Sequence, residues 1–161
     1  RLCGDNGAYS FVENNHTFWV STTTEAYVFN SLNRQWLSTR SYLAQRGILV
    51  PVNDRIVIRD LQVNANGALW VATDHHGLFY IDFKTKASQY VHSNVRGSIV
   101  DNSLQKVYID NFGAVWVGSY KNGVAYYSPS SSKFNTIPLG YVCTITQDLA
   151  GNLWCGTNDM T

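Results

Sequence analysis

The chain has 161 residues, enough for one domain or part of one. Charged residues make up 14% of it and aromatics another 14%, against about 25% charged in an ordinary soluble protein, and the net charge is +1. Such a chain can bury a core. It carries no run of Lys and Arg to suit nucleic acid or an anionic membrane, and no apolar stretch near the ~20 residues of a membrane span.

In chain order, the first unit opens with an alternating stretch, AYSFVE (8–13), and a polar turn, NNH. A strand FWVST (18–22) follows, then the loop TTEA, a third strand YVFN, a turn SLNR and a weaker fourth strand QWLS. The stretch from Tyr42 to Arg46 has room for one helical turn; it lies in a longer connection, 39–55, that includes RGILVPVND. The second unit repeats the order as LQVN, NANG, LWVAT, DHHG, LFYID, FKTKAS and QYVHS. Asp101-Asn102-Ser103 opens the third, which continues KVYID, DNFG, VWVGS, YKNG, VAYYS, SPSSSK and KFNTI. The fourth reads CTITQD, DLAG, LWCGT and stops at Thr161, just after its second strand. Strand stretches are rich in Val, Thr and aromatics, and the turns in Asn, Asp and Gly, which accept positive φ and close hairpins.

The recurrence is anchored on Trp19, Trp70, Trp116 and Trp154. Three residues before each stands Gly67, Gly113 or Gly151, with His16 as the exception. Six before stands Glu13, Asn64, Asp110 or Asp148; seven after, Gly77 or Gly123, with Ala26 as the exception; ten after, Phe29, Tyr80 or Tyr126. Four short strands per unit of about 40 residues predict an all-β fold, a β-propeller of about four blades of four-stranded antiparallel sheet. The units run about 8–38, 56–93, 103–137 and 141–161, with 39–55 as an inter-blade insertion loop. Four incomplete blades rarely close and would leave strand edges bare, so the expectation is an arc of a larger ring. A start at Arg1 without Met fits an interior piece of a longer protein.

Cys155 stands where other units have Val20, Val71 and Val117, which predicts a small buried hydrophobe. A hairpin turning near Ala150 would set Cys155 opposite Thr146 and leave Cys143 beyond the end of the partner strand, out of reach of a disulfide. No Cys–His spacing suits zinc.

Together, DLAGNLWCGT (148–157), DNFGAVWVGS (110–119) and NANGALWVAT (64–73), with GLFYID (77–82) and GVAYYS (123–128), closely resemble the two-component regulator propeller repeat. Asp101-Asn102-Ser103-Leu104 is similar to that family's lead-in, and the first unit departs most. The resemblance covers about residues 8–161. It implies a periplasmic sensor region of a bacterial hybrid two-component system, recognising oligosaccharide and signalling to a histidine kinase elsewhere in the parent chain, itself in the inner membrane. Remaining blades, downstream domains and a homodimer are the partners it suggests. The alternatives are a propeller-fold lyase or hydrolase, and a scaffold for dimerisation.

Candidate ligand contacts fall in the loops between second and third strands. Asp74-His75-His76 offers a carboxylate and two imidazoles, although neighbours on an extended chain point to opposite sides and do not share one ion. Tyr120-Lys121-Asn122 sets a ring beside cationic and amide donors, a set able to stack on a sugar and bond its hydroxyls. Asn158-Asp159 adds polar groups at the equivalent place in the fourth unit. The recurring Trp, Gly and Tyr residues are expected to pack blades, and Asp110 and Asp148 to hold turns. Trp36, outside the register, is expected to pack as well. No nucleophile elbow, phosphate loop or HExxH motif occurs, and neither catalytic residues, metal nor cofactor is expected.

Overall fold

The computed structural model describes residues 8–22, 25–49, 56–131 and 133–158. The first sheet contains β1 (Ala8–Asn14), β2 (Thr17–Thr22), β3 (Ala26–Asn30) and β4 (Gln35–Ser38). The second contains β5 (Val57–Val63), β6 (Leu69–Asp74), β7 (Leu78–Asp82) and β8 (Ala87–Val91). β9 (Leu104–Ile109), β10 (Val115–Ser119), β11 (Val124–Tyr127) and β12 (Asn135–Ile137) make the third, and β13 (Val142–Gln147) and β14 (Leu153–Thr157) a two-stranded fourth. Every sheet is an antiparallel meander. The first strands of successive sheets lie side by side, β1 against β5, β5 against β9 and β9 against β13. This is β-propeller architecture, and the described sheets form an open arc.

Three turns share one construction. The backbone N–H of Asn64 donates to Ala68 and that of Gly67 to Asn64; Asp110, Ala114 and Gly113 repeat the pair, as do Asp148, Asn152 and Gly151. Gly67, Gly113 and Gly151 have φ of 83°, 80° and 90°, the left-handed position that closes a three-residue hairpin loop. At the far end of each hairpin, Gly77 and Gly123 also have positive φ, and a Cβ there would overlap the carbonyl oxygens of Val91 and Ile137 respectively.

The first unit does not follow this register. Asn14 pairs with Thr17 across a two-residue turn, Asn15-His16, with φ of 49° and 64°. Trp19 pairs with Val28, whereas Trp70 pairs with Tyr80 and Trp116 with Tyr126. Both turns are one residue shorter, and a one-residue slip reverses the face a side chain occupies. Phe29 is therefore not the equivalent of Tyr80 and Tyr126, as a gap-free alignment would have it. It joins Phe18, 6.3 Å between ring centres, and Trp36, 4.8 Å, on the sheet's other side. His16 and Ala26, the departures from glycine, mark the two shortened turns.

Each sheet turns its tryptophan toward the next. Trp19 is 2% exposed and packs with Leu61, Leu69 and Val71 of the second sheet. Trp70 packs with Leu104, Val107 and Val115 of the third, and Trp116 against Val142 and Ile145 of the fourth. No described sheet covers Trp154, which is 62% exposed. Burying one such ring contributes on the order of 2–3 kcal/mol, so the sheets stand mainly through these interfaces.

A polar seam crosses the inner strands. Ser10, Asp60 and Lys106 each precede by two residues the partner of a repeat tryptophan (Val12, Gln62, Tyr108). Ser10 Oγ donates to Asp60 Oδ1 and accepts from the Leu61 N–H at 3.3 Å. Asp60 Oδ2 accepts from the Val107 N–H at 3.1 Å and pairs with Lys106 Nζ at 3.0 Å. Asp60 is 1% exposed, and a carboxylate so buried is tolerable only with this complement of donors.

The connection after β4 holds a seven-residue helix, α1 (Thr39–Gln45), rather than the single turn read at 42–46. The Ser38 hydroxyl caps it by accepting from the Ser41 N–H. Tyr42 and Leu43 are buried, and the Tyr42 ring meets Trp19 edge-on at 5.0 Å. Packing on the first sheet thus supplies what so short a helix lacks by itself. Residues 50–55 of the same connection lie outside the described residues.

The cysteine register also differs from the sequence reading. Cys155 faces Ile145, and Thr146 faces Trp154, because the three-residue loop moves the pairing by one. Cys143 lies on β13, at the bulge between Val142 and Thr144, not beyond the strand. Both thiols are free; Cys143 is exposed, and Cys155 is half-buried against Val142 and Ile145, where burial raises its pKa.

Candidate functional site

Antiparallel meanders put the loops between second and third strands at one end of every sheet, together with the connections that enter the next. Asp74, the last residue of β6, is positioned there by its ladder to Val57 on β5. Arg59 is the bulged residue of β5, between Ile58 and Asp60, and its guanidinium reaches Asp74 Oδ2 at 2.6 Å. His75 has φ of 70°, so the chain reverses there instead of staying extended. Both imidazoles turn back on Asp74 in consequence: His75 Nδ1 lies 2.5 Å from Oδ1, and His76 Nδ1 3.2 Å from the Asp74 carbonyl. Burial alone would raise the Asp74 pKa, but the bonds from Arg59 and His75 outweigh it and hold the carboxyl below its ordinary value.

Ser103, in the connection before β9, ties this loop to the next. Its hydroxyl lies 2.9 Å from His75 Nδ1, and its carbonyl accepts the Tyr120 N–H at 2.9 Å. Asn122 Nδ2 donates to Asp101 Oδ2 at 3.2 Å. The Tyr120 ring, 38% exposed, packs on Tyr141 with centres 4.8 Å apart, and Lys121 Nζ lies 5.7 Å from the Tyr120 ring centre. Desolvation raises the Tyr141 pKa, with Cys143 and Tyr120 adding to the shift and the charge of Arg59 opposing it. Asn158 is exposed and reaches the same end through its backbone, its N–H donating to the Tyr141 carbonyl.

Six of the eight residues singled out in the sequence therefore share one surface: Asp74, His75, His76, Tyr120, Lys121 and Asn122. Asn158 joins them by its main chain alone, and Asp159 lies outside the described residues. Arg59, Ser103 and Tyr141 complete the surface without having been read from the sequence. Ser103 belongs to the Asp101-Asn102-Ser103 lead-in. Arg59 and Asp60 are adjacent charges on a strand otherwise of Val, Ile, Leu and Gln, which was a readable signal; Tyr141 stands at the repeat position of Ser103.

Ser103 and Asp74 approach the same nitrogen of His75, whereas a Ser–His–carboxylate relay needs them on opposite nitrogens. Among the described residues no three His, Cys, Asp or Glu side chains converge in a way that could hold a metal ion. What the surface presents is a guanidinium, an amine, imidazoles, amides and two phenol rings packed at a tilt. Three cavities at the blade junctions and edges are lined by other described residues than Asp74, His75 and Tyr120.

Two of the recurring tryptophans are tied to turn aspartates. Trp116 Nε1 donates to Asp110 Oδ2 at 2.9 Å and Trp154 Nε1 to Asp148 Oδ2 at 3.0 Å. The Trp154, Asn152 and turn donors depress the Asp148 pKa to about 2. Trp36 packs at a tilt on Phe29 while 41% exposed. No helix is long and apolar enough to cross a membrane among the described residues.

The sequence matches no protein-family profile and no curated protein. Its fold is found in solved structures. The extracellular domain of BT3049 from B. thetaiotaomicron, assigned to a hybrid two-component system, superposes with a TM-score of 0.75 at 16% identity, over 96% of this chain and 22% of that one. The corresponding domain of BT4673 gives 0.72 at 18% identity, over 96% and 21%. PorZ, a surface component of the type-IX secretion system of Porphyromonas gingivalis, gives 0.66 at 14% identity, over 93% and 24%. The chain thus spans about a fifth to a quarter of the length of these relatives in structure.

Proposed function

We propose that this chain is part of an extracytoplasmic sensing propeller of a two-component signalling system. In this reading an oligosaccharide binds the loop surface around Asp74, His75 and Tyr120, and the signal passes to a histidine kinase elsewhere in the parent protein. The observation that carries it is the continuity of that surface across two blades. Ser103 joins the His75 loop to the Tyr120 loop, so a ligand touching both would bear on the angle between blades. Likeness in fold to extracellular domains of two hybrid two-component systems supports the sensing role and a location outside the cytoplasm.

Sugar recognition suits the residue set. Tyr120 offers a ring face, and Arg59, Lys121 and Asn122 offer donors to hydroxyls. The ligand acts by binding one arrangement of the blades better than another; binding equally to both would shift nothing. The protein performs no chemistry on it. Tyr120→Ala and Arg59→Ala in the full-length protein should each abolish the response of a kinase reporter to the cognate glycan while leaving secretion and folding unchanged. A reporter that responds undiminished in both variants would refute the assignment of this surface.

A further inference from the structure

The far end of the same strands holds a second site. Trp70 stands at the start of β6 and Asp74 at its end, on the order of 13 Å apart along the strand. Around Trp70, between the second and third sheets, opens a cleft of about 690 Å³. Its walls include four aromatic rings, Trp70, Tyr80, Tyr127 and Phe134, and two cations, Arg96 and Lys133. Among the described residues no Asp or Glu lines it. Among the described residues neither cation takes part in an ion pair.

The repeat itself explains the missing acid. In the third and fourth units the turn aspartate accepts from the indole N–H. The second unit has Asn64 at that place, and its Oδ1 is taken by the backbone N–H groups of Asn66 and Ala68. Trp70 Nε1 is left buried with no acceptor. Trp70 is 9% exposed, and an unpaired donor at that depth has a standing desolvation cost. Asn64 thus brings no carboxylate to the cleft, and Trp70 Nε1 beside it has no acceptor.

We propose that this cleft binds an acidic sugar residue, with its carboxylate held by Arg96 and Lys133, its ring laid on the aromatic wall, and an oxygen supplied to the Trp70 indole. Two cations lining one cleft without a resident acid select an anion, and flat apolar rings beside amide and phenol donors select a pyranose face. Neutral sugars lack the charge, and inorganic anions lack the ring. The inference is independent of the Asp74–Tyr120 surface: failure here leaves that assignment untouched, since the two are read by different substitutions.

The test uses the whole protein and follows the Trp70 indole N–H by nuclear magnetic resonance, assigned through its loss in Trp70→Phe. Glucuronate, galacturonate and mannuronate are titrated singly, with methyl glucoside and sulfate as controls. At least one uronate should move the resonance saturably, more weakly as salt rises. Arg96→Gln with Lys133→Gln should weaken that binding tenfold or more. Asn64→Asp, which restores the acceptor found in the other units, should melt no lower than wild type and lose the binding as completely. No shift with any uronate, an equal shift with methyl glucoside or sulfate, or undiminished binding in a folded Asn64→Asp protein would each overturn the proposal.

Discussion

The turn aspartates show how one residue type does two jobs. Asp110 accepts from the Phe112 and Ala114 N–H groups through one oxygen and from the Trp116 indole through the other. Asp110→Ala should therefore cost about 1–3 kcal/mol in chemical denaturation, since it strands three donors at once. Asp148 repeats the arrangement and titrates at about 2. A folded value below the ordinary carboxylate pKa means that its contribution is fully present above about pH 4 and is lost as the pH falls toward 2. Asp74, also depressed, acts in the same direction. Melting temperature against pH should show this acid slope in wild type and a shallower one in Asp148→Asn. These turns were legible in the sequence because side chain and target lie within a few residues of each other. Asn64 was legible as a turn residue but not as a lost acceptor, because that depends on where its oxygen points.

Hairpins were readable for the same local reason, and the exceptions to the pattern held information too. His16 and Ala26 mark turns one residue short, and the slip carries Phe29 to the other face. Spacing from tryptophan alone hid this, since counting along the chain does not reveal which residues pair across it. Gly123 illustrates a constraint set between elements: its φ is 85° and a Cβ would overlap the Ile137 carbonyl. Gly123→Ala should destabilise by at least about 2 kcal/mol, combining left-handed strain with displacement of β12, and the loss should appear as faster amide exchange in β11 and β12. The helix α1 was under-read because seven residues carry little periodicity. The Ser38 cap was its available signal.

At the scale of the molecule, stability depends on how sheets meet. Asp60 ties three inner strands, with Ser10 on one side and Lys106 and the Val107 N–H on the other. Asp60→Ala should cost roughly 3–5 kcal/mol by leaving Lys106 and a backbone donor uncompensated, and the loss should exceed that of Ser10→Ala in parallel urea titrations. Opposite charges at one repeat position, Asp60 and Lys106, were present in the sequence. Their meaning appeared only once β5 and β9 lay side by side. The loop surface follows the same division. Asp74 and Tyr120 were legible as polar loop residues at matching repeat positions, whereas Ser103 and Tyr141 also match in position but act through main-chain carbonyls, accepting from Tyr120 and Asn158, which residue type does not reveal.

The central claim is that this surface recognises an oligosaccharide and leaves it intact. The most direct measurement is calorimetric titration of the full-length protein with a panel of neutral and acidic oligosaccharides, with mass analysis of the ligand afterwards. The account predicts saturable binding of at least one glycan, recovered unchanged, and at least about tenfold weaker binding in both Arg59→Ala and Tyr120→Ala, a loss of some 1.4 kcal/mol each. A cleaved ligand, or a panel in which no bound glycan is weakened by either substitution, would contradict it.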